Sequence, residues 1–252
     1  MSTNRRMAVL SVGLAAIGLA AVAPMASASV VDIQFLVTGG NAATSFSGSQ
    51  GAYTGDSVTA PSWNAISVAK NATSGSASNL VASNGTATSE NVSFTMTGGY
   101  VSTATTTFGN GGNTNDLFQS YILNNPGTGT VTLTGLADGG SYQLYLYGGS
   151  GAYNNANTDF SITTGTGTLV SPTNNVTNVA NGNVGFTQNV NYVVFNAVAD
   201  ATGTLGISYV GGTAHPEADI NGLQIISTPE PATLALLGMG GLGLLLAKRR
   251  KA

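Results

Sequence analysis

Between residues 29 and 228 apolar and polar positions alternate with a period of two, in one short stretch after another. In 31–37, Val31, Ile33, Phe35 and Val37 fall on one face of an extended chain, because successive side chains of a strand point to opposite sides. In 92–97, Val92, Phe94 and Met96 face one way and Ser93, Thr95 and Thr97 the other. Residues 130–134 repeat the device with Val131 and Leu133. The stretch 141–147 is bulky on both faces, with Tyr142, Leu144 and Leu146 on one and Gln143, Tyr145 and Tyr147 on the other. Stretches 158–163, 190–198, 204–210 and 219–226 complete about eight strands, or about ten with weak pieces around Ser45 and Val184. Helical spacing is confined to 115–124, where Leu117, Phe118, Tyr121 and Ile122 follow a cap at Asn115 or Asp116. A short strand fits those residues nearly as well. Residues 39–55 and 164–183 read as long loops, and turns such as 137–140 and 210–212 are rich in glycine. The pattern predicts an all-β domain, a jelly roll or other β-sandwich of about 8–10 strands.

Both ends break this pattern. Arg5 and Arg6 precede an apolar run over 7–23, and Ala26-Ser27-Ala28 follows as an A-x-A cleavage site. This is the layout of a secretory signal peptide over 1–28, with the mature chain starting at Ser29. The other end carries Pro229-Glu230-Pro231, an apolar run over 232–247, then Lys248, Arg249, Arg250 and Lys251. As a helix that run spans roughly 24 Å, just short of the ~30 Å hydrocarbon core of a bilayer. The basic cluster then stays on the cytoplasmic side, and the two prolines mark the helix entry. The expected organisation is a signal-peptide helix, a β-sandwich domain over 29–228, and a tail over 229–252 with a short transmembrane helix. A permanent single-span anchor is the alternative reading of that tail.

Charge narrows the partners. Of seven basic residues two lie before residue 28 and four in the tail, which leaves Lys70 alone in 29–228. Nine of the ten acidic residues lie there, giving that stretch a net charge of −8. Nucleic acid and anionic membrane surfaces are excluded as partners, since both require clustered Lys and Arg. Membrane contact is expected only as transient insertion of the C-terminal helix. The chain has no cysteine, so thiol chemistry and thiolate metal sites are excluded too. Charged residues make up 7% of the chain, against ~25% in ordinary soluble domains. The surface must therefore be built from Thr, Ser, Asn and Gly.

The tail resembles the PEP-CTERM sorting signal of exopolysaccharide-producing Gram-negative bacteria: Pro229, Glu230 and Pro231, a short Gly/Leu helix and a terminal basic cluster, in that order. The resemblance implies delivery by the Sec machinery, cleavage near the triplet by an exosortase, and a secreted or cell-surface destination by way of the inner membrane. In the body, 133–147 looks like a hairpin of galactose-binding-like and carbohydrate-module jelly rolls. Residues 218–226 and Ser62-Trp63-Asn64 are similar to segments of secreted PEP-CTERM proteins. That second resemblance supports the fold more than the function.

Candidate chemistry is sparse. Gln143, Tyr145 and Tyr147 share a strand face, with Tyr153 in the loop beyond, and form a candidate glycan platform. The competing reading is that tyrosines favour strands and pack under loops. Trp63, the single tryptophan, is either a sugar-stacking ring or, preferably, a plug for one end of the sandwich. His215, Glu217 and Asp219 would share a face if extended, but Pro216 makes the stretch a turn. Calcium prefers oxygen ligands, for which Asp32 and Asp219 are weak candidates, so no cofactor is expected except calcium. No paired-carboxylate signature of a glycosidase, G-x-S-x-G elbow or phosphate loop is present. The sequence thus predicts a non-enzymatic surface or matrix protein that binds exopolysaccharide through one face of a sandwich. The alternatives are a secreted polysaccharide-active hydrolase or lyase, and a self-assembling coat.

Overall fold

The structure is a computed structural model that describes residues 28–38, 51–55, 58, 61–103, 117–118, 120–149, 157–177, 185–212 and 216–228, with the main chain alone for 37–38 and 100–103. The expected signal peptide, the weak pieces around Ser45 and Val184, His215, Tyr153 and the tail from Pro229 onward lie outside these residues. Fifteen strands are described: β1 (Val30–Thr38), β2 (Trp63–Ala69), β3 (Ser74–Ala77), β4 (Asn91–Met96), β5 (Gly99–Thr103), β6 (Ser120–Asn124), β7 (Thr128–Thr134), β8 (Ser141–Tyr147), β9 (Thr158–Thr164), β10 (Thr166–Leu169), β11 (Asn175–Val176), β12 (Tyr192–Val198), β13 (Leu205–Gly211), β14 (Ala218–Ile220) and β15 (Gly222–Ser227). Among the described residues no helix is long and apolar enough to cross a membrane.

Two six-stranded sheets pack as a sandwich. The first runs β10-β12-β8-β15-β1-β2 and the second β11-β9-β13-β7-β4-β3; a small sheet, β14-β6-β5, adjoins them. The all-β expectation holds, and the layout is compatible with a jelly roll. Every strand pair is antiparallel except β1 with β2. Alternation places Ile33, Phe35, Leu144, Leu146, Val193 and Leu223 of the first sheet against Phe94, Val131, Leu133, Phe160, Ile207 and Tyr209 of the second, in one core. Phe35 and Phe94 meet edge to face across the layers, with ring centroids 5.6 Å apart. That geometry suits the ring quadrupoles.

The sequence expectation did not include β2, β3 and β5, and the chain departs from it in three further places. The candidate helix over 115–124 is a strand in its second half, Ser120–Asn124, buried at all five positions; an element buried on both faces has no reason to show a period of two. The closing segment 218–226 is two strands, not one. Asn221 interrupts it, donating its main-chain N–H to the Tyr147 carbonyl and accepting from Phe35 N–H, so that β14 joins the small sheet and β15 the first. The expected loop over 164–183 contains β10 and β11. There Gly165 takes φ 76°, and a Cβ on it would meet the Val198 carbonyl. Glycine tolerates that conformation without steric cost, which lets the chain cross from the second sheet to the first within one residue.

Glu90 is a weak point in the fold. Its carboxyl titrates above the usual value of 4.5, chiefly because burial penalises the charge, while a bond from the Thr88 side chain opposes the shift. Its Oε2 is buried without a hydrogen bond. The folded state therefore holds its proton to higher pH than the unfolded chain, and stability falls as pH rises from 4.5 through the raised value. Glu90→Gln should raise the melting temperature at pH 7 and leave it unchanged below about pH 4. Thermal melts of both proteins across that range check this.

Candidate functional site

The outer face of the first sheet carries a second, smaller cluster. Strand register sets its rows. Trp63 lies beside Asp32, Asp32 beside Gln224, Gln224 beside Tyr145 and Tyr145 beside Val194. In the next row Gln34 lies beside Gly222, Gly222 beside Tyr147 and Tyr147 beside Tyr192. A sheet face with so many polar residues would ordinarily meet water. Here Asp32, Gln34 and Gln224 are buried, because Ala52, Leu117, Phe118 and Phe186 pack over the face with Trp63 and Tyr147.

Gln224 joins this cover to the sheet. Its Nε2 donates to Asp32 Oδ1 at 2.8 Å and lies 3.5 Å from the Tyr53 carbonyl. Its Oε1 accepts from Tyr53 N–H at 3.0 Å and from the Tyr147 hydroxyl. That hydroxyl in turn accepts from Ala52 N–H at 2.7 Å. Each polar group of the pair is thus matched, as burial demands. The covering segment comes this close because residue 51 is glycine: a Cβ there would collide with Gln224 Oε1 and the Tyr147 hydroxyl. Burial pushes the Tyr147 phenol well above its ordinary range, with the Asp32 charge acting in the same direction, so it remains a protonated donor.

The aromatic rings form a continuous network around Tyr147. Trp63, Phe118, Phe186 and Tyr192 lie with centroids 6.4, 6.4, 5.2 and 6.0 Å from it. Tyr145 stacks on Tyr192 at 5.7 Å with ring planes 29° apart and meets Tyr53 at 5.8 Å on its other side. Tyr53, Tyr145 and Tyr192 are each half-buried. Burial raises the Tyr145 and Tyr192 phenols, so both stay neutral near pH 7. Beside them Gln143 donates to Asn196 Oδ1 at 3.3 Å.

The platform read from sequence is thereby redrawn. Gln143 and Tyr145 are partly open, but Tyr147 is fully buried and Trp63 is 9% exposed. Their rings stand on the same face beside Tyr145, under the covering segments, and offer no surface to a ligand. Tyr153 lies outside the described residues. Tyr53 and Tyr192, which sequence reasoning did not single out, complete the open rung. Tyr192 was findable in principle, since it alternates with the buried Val193. Tyr53 was not, because only the tertiary fold brings its segment onto the sheet.

The other candidates are dispersed. Asp32 belongs to the first sheet and Asp219 to the small one. Asp219 is buried, exchanges main-chain bonds with the Thr158 hydroxyl, and helps to raise the Tyr209 phenol. Glu217 accepts from Asn125 Nδ2 at 2.6 Å. Among the described residues no group of three or more His, Asp or Glu side chains is gathered as a metal site.

The class of protein is thus an all-β sandwich with a covered, aromatic outer face, and its last strand runs directly into a C-terminal tail. Residues 227–251 match the PEP-CTERM protein-sorting motif, so the chain carries that motif from the last residue of β15 onward. No curated protein and no solved structure is significantly similar to the chain. The motif implies processing by an exosortase during export and an exported protein associated with the bacterial cell surface.

Two outcomes are expected. Tyr147→Phe removes the acceptor for Ala52 N–H and one donor to Gln224, and should cost about 1–3 kcal/mol in denaturant unfolding. Replacing Pro229, Glu230 and Pro231 together by alanine should leave the full-length chain in the membrane fraction, which immunoblotting of fractionated cells would reveal as loss of the processed form.

Proposed function

We propose that the protein is a non-enzymatic component of the surface or extracellular matrix of a Gram-negative bacterium, which holds exopolysaccharide on the outer face of its first sheet. Export by the Sec machinery and release by exosortase bring it there, and binding uses no cofactor. One observation carries the reading: the rung of half-exposed rings formed by Tyr53, Tyr145 and Tyr192. Flat rings packed against the buried rings beside them match the apolar C–H faces of sugars, and the adjoining amides of Gln143 and Asn196 match hydroxyls. That packing matters because a preformed face loses little entropy on binding.

The test is a glycan and exopolysaccharide binding screen of the full-length chain in detergent, beside Tyr145→Ala/Tyr192→Ala. Both rings are partly exposed, so the variant should stay folded, whereas truncating the buried Tyr147 would damage the fold itself. Affinity for the bound glycan should fall about tenfold or more, given ~0.5–1.5 kcal/mol for each aromatic contact beyond its buried area. Equal binding by the variant and the parent would sink the proposal.

A further inference from the structure

The open face does not end at the tyrosines. Further along the same strands Gln143 lies beside Asn196 and Ser141 beside Val198, and β10 continues the rows with Thr168 beside Asn196 and Thr166 beside Val198. Ser141, Thr166, Thr168, Asn196 and Val198, together with Thr228, line a shallow depression of about 310 Å³. The side chains of Ser141, Thr166, Thr168 and Asn196 are exposed. The hydroxyls of Ser141, Thr166 and Thr168 have no protein partner among the described residues. Val198, at its floor, is 38% exposed; with Val170 just past β10 it makes up the exposed large apolar side chains of the described residues. Unbonded hydroxyls around an exposed apolar side chain offer both kinds of contact that a pyranose ring presents.

Charge and length define the ligand. No charged side chain lines the depression. The single basic residue of 29–228, Lys70, sits in the turn after β2, and β2 is the opposite edge strand of the sheet. A chain bearing uronate, sulfate or phosphate would find no cation here and would approach a stretch of net charge −8. Tyr192 and Val198 are six residues apart on β12, so the track from the tyrosines to the depression is roughly 20 Å long, the reach of about four extended pyranose units.

We propose that this depression is a second subsite, and that tyrosine rung and depression together select an uncharged, extended glycan of about four sugar units. The inference rests on the reading that the tyrosine rung binds sugar.

The test uses the full-length chain in detergent, titrated calorimetrically with neutral gluco-oligosaccharides of two to six units and with oligogalacturonates of the same lengths. The parent should bind the neutral series, tighten with length up to about four units and then level off, and ignore the acidic series. Thr166→Ala/Thr168→Ala should bind the disaccharide as the parent does but lose about tenfold of the gain with length. Disaccharide binding that depends on Tyr145, with no gain in length and no effect of the double variant, would overturn the subsite and leave the tyrosine reading standing. Equal binding of the acidic series would overturn the selection for neutral chains. Binding to neither series would remove the tyrosine reading for these sugars and the subsite with it.

Discussion

The antiparallel pairing of β1 with β15 joins the two ends of the domain, Val30 beside Ile226, and both layers of the domain are arranged around it. Strand β15 lies inside the first sheet, between β8 and β1, so the last strand of the sandwich completes a layer that otherwise divides in two. On its inner side that pairing sets Ile33 beside Leu223, at the centre of the main core. On its outer side it sets Asp32 beside Gln224, which ties down the cover over the aromatic face. A contact so distant in sequence closes late, because loop-closure entropy has to be met before the contact contributes. The fold is thus committed only when its final strand is in place.

The charge-poor composition follows a consistent physical logic. With few charged residues in the chain, the Gln224 amide and the Tyr147 hydroxyl on the outer face are matched by a carboxylate oxygen, by main-chain groups and by each other. Gln224 is suited to this role because one side chain offers both donors and acceptors. The same composition governs the surface. A face lined by tyrosine, glutamine, asparagine and threonine has no electrostatic reach and discriminates only at contact, by shape and hydrogen bonding.

Much of this was legible in the sequence, and the limits are instructive. Strand β8 was readable to the residue, because both of its faces are bulky and its alternation is clean. The segment Trp63–Ala69 was missed as a strand, since its buried positions, Trp63, Ile66 and Val68, do not keep a strict period of two. Strands β3, β5 and β10 consist largely of Ser, Gly and Thr and resemble loops by composition. The site posed a different problem. Tyr145 and Tyr147 are equivalent in any alternation argument, yet one is partly open and the other fully buried. The difference arises from segments near residues 52, 118 and 186 that fold over one end of the face, and no local pattern encodes where a covering segment will land. The sorting motif, by contrast, was fully legible, since its parts lie in order along the chain.

The two ends of the domain are also clasped. Ser29 N–H donates to Ser227 Oγ at 2.8 Å, Ser227 N–H donates to the Ser29 carbonyl, and Thr228 N–H is held by the Ser141 carbonyl. The folded body is therefore close to a closed ring whose seam lies at the start of the sorting motif. Scission just past Thr228 would free the body without leaving a loose strand or opening the sheet. A ring of this kind has no preferred origin, so joining Ser29 to Thr228 by a short linker and reopening the chain at an exposed turn, such as the one at Asp138, would preserve every layer.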